Sequence, residues 1–167
     1  KRVSGWGTCK IYHDINKVRE AATEMLKDKE RFKDCPNYQH DIADVVRQTL
    51  TDSTYYLIKD IAASYEKKDM AAFKAQYTTF LGILSDLNRL LSQVGLFKLE
   101  KWTNSARNIC DEVPGTTEAD RDWMEWNART LVTVWGPEQC AEQGRLHDYS
   151  SRQWGGMLND FYLARWE

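Results

Sequence analysis

The side chains able to do acid–base or nucleophilic chemistry are distributed along this chain in patterns that favour structural roles. Hydrolytic acid–base catalysis needs two carboxylates facing one bond, with their protonation states held apart. The densest carboxylate cluster, Asp120, Asp122 and Glu125, lies instead at the start of a helical pattern, where anions complement the helix dipole. Asp148 also stands where a helical pattern opens and reads as an N-cap. Ser150 and Ser151 have His147 nearby, but no nucleophile-elbow motif surrounds them. His13, His40 and His147 are far apart in sequence, and none is four residues from another expected ligand. Cysteines at 9, 35, 110 and 140 lack the C-x-x-C spacing of a zinc site. We therefore expect no catalytic residue, no metal ligand and no cofactor within this sequence. The cysteines read as free, partly buried thiols; one or two disulfides, in any of three pairings, form if the parent protein is exported.

What the sequence does concentrate is aromatic surface. Between residues 123 and 166 stand Trp123, Trp126, Trp135, Trp154 and Trp166, five of the seven tryptophans of the chain. Trp135 directly precedes Gly136-Pro137, a sharp helix break, and Tyr149 lies beyond a polar insert. An aromatic ring at such a corner either fills a core or interface, or offers a flat face, with a directed hydroxyl in the case of tyrosine, to a ligand.

The elements that must position these residues are helical. A pattern from Asp14, its N-cap, places Ile15, Val18, Ala22, Met25 and Leu26 on one face; we expect it to fade through Lys27–Lys33 and to stop at Cys35-Pro36-Asn37. A second helix is predicted from Asp41 to Lys68, with Ile42, Val45, Val46, Thr49, Ser53, Tyr56, Leu57 and Ile61 inward. Asp69 caps a third over 70–94, so the two form a tight antiparallel hairpin. A short fourth helix, 97–110, would bury Trp102, Ala106 and Ile109. Thr117-x-x-Asp120 matches a capping box and opens a fifth over 118–134. That fifth pattern is apolar on two faces, one with Trp123 and Trp126, and so predicts burial between layers. Residues 136–147 read as a loop, and 148–166 as a sixth helix with Trp154, Met157, Leu158, Phe161 and Tyr162 inward. Gly155 and Gly156 inside it imply the close approach of a neighbour. The class is all-α: a bundle of about six helices built on a long central αα-hairpin, with 1–167 as a single domain.

Composition narrows the partners. Of 167 residues, 42% are hydrophobic and 29% charged, values of a folded chain. The net charge is −2, without the basic stripe that phosphate backbones require, so we expect no nucleic acid partner. No apolar run approaches the roughly 20 residues of a membrane span, and no membrane partner is expected.

Taken together in order, several short motifs resemble the C-terminal region of the α-N-acetylglucosaminidases, family 89 of the glycoside hydrolases. They are Asn127-x-Arg129 leading into Trp135-Gly136-Pro137, Leu146-x-Asp148-Tyr149, and Phe161-Tyr162-x-x-Arg165-Trp166. The similarity reaches back through Asp44-Val45-Val46-Arg47-Gln48 and Phe97-Lys98-Leu99-Glu100-Lys101-Trp102, covering residues 40 to 167. The chain departs from the pattern at Ala164, where proline is common, and in the insert Glu138–Arg145.

The resemblance implies a helical domain cut from a longer, exported enzyme that hydrolyses terminal α-linked N-acetylglucosamine with retention. In that family both catalytic glutamates lie in a preceding (β/α)8 barrel, onto which the helical domain packs. The expected partners are therefore the barrel of the same parent chain and the terminal α-N-acetylglucosamine of a glycan. Carried over from the family, Trp135 and Tyr149 are the expected substrate-binding residues, with Arg129 and Arg165 in buried ion-pair or capping roles. Two other readings stay open, a helical protein-interaction module and a non-catalytic carbohydrate-binding domain.

Overall fold

The computed structural model describes residues 10–135 and 150–166 of the chain. All regular elements among them are helical, and the all-α expectation holds. The elements are α1 (Ile15–Lys27), α2 (Lys29–Phe32), α3 (Pro36–Glu66), α4 (Met70–Leu91), α5 (Leu99–Asn108), α6 (Glu118–Val132), a π-helix (Leu158–Leu163) and α7 (Ala164–Trp166), with short 3-10 turns at Gly95–Phe97 and Ile109–Glu112.

Local capping sets most of the boundaries. The Asp14 carboxylate accepts from the Asn16 N–H at 2.9 Å and starts α1. Pro36, read from sequence as a stop, instead occupies the first turn of α3, where its missing N–H costs nothing and its fixed φ suits the helix. Lys68, at φ 57°, turns the chain, and Asp69 caps α4 through the Ala72 N–H at 3.0 Å. The hairpin therefore forms as expected, with the Ser64 hydroxyl donating to Gln76 Oε1 at 2.8 Å beside the turn.

The main core lies along this hairpin. Phe80, Leu84, Leu87 and Leu91 of α4 are buried together with Leu158, and Leu50, Leu57 and Ile61 of α3 pack against them. Tyr56, expected inward with Leu57, is exposed on the outer side of α3. On that helix the buried Asp52 accepts from Gln48 Nε2 at 2.7 Å and lies 2.7 Å from His13 Nε2, which ties the start of α1 to α3.

A second core joins α5, α6 and the C-terminal segment through Leu99, Val132 and Met157, with Trp154, Phe161 and Tyr162 against them. Here two expectations fail. In the α5 region, Leu99, Thr103 and Cys110 are buried, while Trp102 and Ile109 are not. In α6 the buried positions are Ala128 and Val132, while Trp123 and Trp126 face outward, 63% and 52% exposed. No layer among the described residues covers them.

The sixth helix is also shorter than its pattern suggested. Residues 151–154 have no helical structure, Gly155 makes an isolated parallel bridge with Lys98, and helical turns resume only after Gly156. The Gly155 N–H donates to the Phe97 carbonyl at 2.8 Å, and its carbonyl accepts from the Leu99 N–H at 3.0 Å. The Gly156 N–H donates to Asn88 Oδ1 at 2.8 Å, and Gln153 Oε1 accepts from Arg47 Nη1 at 2.9 Å and Thr51 Oγ1 at 3.1 Å. This short stretch thus holds α3, α4 and α5 together. The expected close neighbour is the end of α4 for Gly155 alone: a Cβ there would lie 2.4 Å from Ser92 Oγ and 2.6 Å from the Ser92 backbone nitrogen, whereas one on Gly156 would meet only Leu99, at 3.6 Å.

Because backbone atoms cannot rotate away, Gly155→Ala should destabilise the domain by about 1–3 kcal/mol, the cost of overpacking a tight contact. Thermal melting of that variant beside Gly82→Ala checks this, since a Cβ on Gly82 would meet nothing within 4 Å; equal melting temperatures would contradict it.

Candidate functional site: the Trp135 corner

Helix α6 delivers the candidate site at its C-terminal end. Its start is fixed by the expected capping box. The Thr117 hydroxyl accepts from the Asp120 N–H at 3.4 Å, and Asp120 Oδ2 accepts from the Thr117 N–H at 2.7 Å. Along one flank, Arg107 of α5 pairs with Glu118, with Asp122 at 2.7 Å and with Glu125 at 3.0 Å. Glu125 in turn holds Arg129 at 2.7 Å. Asp122 and Glu125, expected to serve the helix dipole, are therefore ion-pair partners that lock α5 to α6. Arg129 makes the expected ion pair, but from a half-exposed position. Arg165 lies over the rings of Phe161 and Tyr162, at 5.3 and 5.8 Å from their centroids.

At the far end, the Thr130 carbonyl accepts from two successive donors, the Thr133 N–H at 3.2 Å and the Trp135 N–H at 2.8 Å. The second bond pins Trp135 just past the last turn, with φ at 60°. A left-handed backbone at a bulky aromatic residue is uncommon and costs of order 1–3 kcal/mol. The Trp135 side chain is 39% exposed. The returning chain reaches the same place: the Ser150 hydroxyl donates to the Val132 carbonyl at 3.3 Å. Tyr149, the chain neighbour of Ser150, lies outside the described residues, as do the loop 136–147 and Asp148.

Against the last turns of α6 packs an aromatic pair that periodicity alone did not disclose. The Trp102 indole N–H donates to the Ala128 carbonyl at 2.8 Å, its ring centroid is 6.2 Å from that of Trp154, and Arg152 lies 5.6 Å over Trp154. Trp102 is thus a bracket between α5 and α6, 40% exposed yet hydrogen-bonded, which explains why a core reading of its position failed. The π-helix that follows is a rare geometry, often found near functional sites, and the buried Oδ1 of its Asn159 has no hydrogen-bond partner among the described residues.

Hydrogen bonds from Arg129, and then from Arg107, hold the Glu125 carboxyl below the ordinary carboxylate range. A general acid in a glycosidase requires the opposite shift. Among the described residues no group of three or more His, Cys, Asp or Glu side chains could hold a metal ion. Cys35 and Cys110 are free thiols, the first exposed and the second buried; Cys9 and Cys140 lie outside the described residues.

Comparison with known proteins decides the lineage of this arrangement. A family model described as the alpha-N-acetylglucosaminidase (NAGLU) C-terminal domain matches residues 3–167. The chain belongs to this family. It is 26% identical over 157 residues to the human alpha-N-acetylglucosaminidase, covering 93% of this chain and 20% of that protein. Among solved structures it is similar to a family 89 glycoside hydrolase from Clostridium perfringens in complex with 2-acetamido-1,2-dideoxynojirmycin, at a TM-score of 0.89 and 34% identity over 98% of this chain and 18% of that one. The same enzyme in complex with PUGNAc matches at a TM-score of 0.88 and 33% identity, again covering 98% of this chain and 18% of that one. The NAGLU C-terminal domain is thus a part, about a fifth, of the longer relatives it matches.

Two predictions follow from the geometry of α6. If the left-handed φ of Trp135 is strained, Trp135→Gly should melt higher than Trp135→Ala, by about 1 kcal/mol of stability; identical melting would show that the backbone relaxes without cost. The second concerns pH. Hydrogen bonds from the Thr117 N–H, and then from its hydroxyl, hold the Asp120 carboxyl below the usual range. A carboxylate depressed on folding contributes stability that is complete above its unfolded value of about 4, and that is lost as pH falls through the lower folded value. The first turn of α6 should therefore stay protected from amide exchange down to about pH 4 and open below it. Protection that is unchanged on further acidification would contradict this.

Proposed function

We propose that residues 1–167 form one domain, the C-terminal helical domain of an α-N-acetylglucosaminidase. In this reading it packs on a catalytic barrel elsewhere in the parent chain, and the parent enzyme hydrolyses terminal non-reducing α-linked N-acetylglucosamine with retention. The domain supplies no catalytic group. Its contribution is one wall of the sugar pocket, carried by Trp135 and Tyr149.

The observation that carries this reading is the state of Trp135. A partly exposed indole on a left-handed backbone, whose main-chain N–H is fastened to the Thr130 carbonyl, is a costly way to place an apolar ring. Strain of this kind persists where the surrounding structure holds a side chain for a purpose. An indole face suits the apolar face of a pyranose, and a tyrosine hydroxyl beside it would fix the orientation of the ring. The hydrogen bond from Ser150 to Val132 supports placing Tyr149 at the same corner, because it brings the returning chain to the end of α6. The relatives' ligands agree in type: the solved Clostridium perfringens enzyme is described in complex with its substrate GlcNAc-alpha-1,4-galactose.

The test is kinetic and uses the full parent chain. Trp135→Ala should lower kcat/KM on a chromogenic α-N-acetylglucosaminide by roughly tenfold, about 1.4 kcal/mol of transition-state stabilisation, without a matching loss of folding stability. Unchanged kcat/KM with a markedly lower melting temperature would assign Trp135 to packing alone. The isolated domain should show no turnover; activity abolished by mutating a residue of this chain would overturn the reading.

A further inference from the structure

We propose that the outward face of α6, centred on Trp123 and Trp126, is the surface on which the remainder of the parent chain docks. This rests on the functional reading above and extends it from the Trp135 corner to the whole helix. Trp123 lies nine residues before the buried Val132, and at about 100° per residue it points to the opposite side of the helix. The two indoles are stacked on each other, with centroids 5.1 Å apart and planes 21° from parallel. They shield one another and remain the most exposed tryptophans of the described chain. A contiguous apolar patch of this kind usually marks a partner surface.

The surroundings resemble an interface as well. On one side of the patch run Glu118, Asp122, Glu125 and Arg129, with Arg107 of α5 joining them in salt bridges. That is an apolar centre beside a rim whose charges are already neutralised, the anatomy of a protein–protein contact with tryptophan anchors. The exposed aromatics of α3 differ. Lys59 sits 3.9 Å over the Tyr55 ring and 5.9 Å from Tyr56, so a solvated cation covers that face. The occupant is argued from length: the domain spans 18–20% of the relatives it matches, so about four-fifths of each relative's chain lies outside it. The position agrees, because the same face runs through Thr130, whose carbonyl fastens Trp135. One docking event would therefore cover the indole pair and bring the pocket wall to the barrel.

Hydroxyl-radical footprinting of the intact parent chain, normalised to the same chain unfolded in urea, tests this without any variant. The expected result is that Trp123 and Trp126 lose most of their modification, while Tyr56 and Tyr65 on α3 stay reactive. Protection should be independent of protein concentration and of added N-acetylglucosamine. Indoles as reactive as Tyr65 would overturn the proposal. So would protection that appears only at high concentration, which means a second copy, or only with sugar, which means a stacking platform. Hydrolysis of a chromogenic α-N-acetylglucosaminide by the same sample separates the two ideas: reactive indoles in an active enzyme overturn docking alone, and protected indoles in an inactive one overturn only the functional reading.

Discussion

The structure depends on how closely the backbone at Gly155 approaches the end of α4. A side chain there would collide with the backbone nitrogen of Ser92, so the crossing exists only because the residue is glycine. From this contact the rest is fastened in sequence: Gly155 to Phe97 and Leu99, Gly156 to Asn88, and Gln153 to Arg47 and Thr51. Three helices distant in sequence are held by one short, non-helical stretch. It also fixes the chain just beyond Ser150.

Trp135 and Ser150 are each tied to the end of α6, by different forces. At Trp135 the helix end supplies a backbone bond and accepts a strained φ; at Ser150 a hydroxyl reaches back to the last turn. The charges of α6 serve the same end. Arg107 gathers three carboxylates and so ties α5 to α6. Acidic side chains that a glycosidase could have used for proton transfer are thereby committed to ion pairs.

Much of this was legible in the sequence, and the failures share a cause. Caps and turns are local chemistry, so Asp14, Asp69 and the Thr117–Asp120 box could be read from a few residues. The α3–α4 hairpin followed from apolar spacing and one tight junction. Spacing, however, reports that a face is apolar and not what covers it, so Trp123 and Trp126 were assigned to a core that the described residues do not form. Trp102 was misread because its indole N–H seeks the Ala128 carbonyl, an interaction without periodicity. The last helix was drawn too long because the bridge at Gly155 and the π turns after it arise from tertiary contacts. The helix break at Gly136-Pro137 marked Trp135 as a corner residue, and α6 does end just before it, although nothing else in its neighbours announces a left-handed backbone.

The central claim is that a strained tryptophan at the end of α6 forms part of a sugar pocket completed by another domain. A crystal structure of the parent chain with a bound N-acetylglucosamine-type inhibitor tests it most directly. The account predicts the Trp135 indole within about 4 Å of the sugar ring, at van der Waals contact. A sugar enclosed entirely by barrel residues, with Trp135 turned into the helical core, would contradict it.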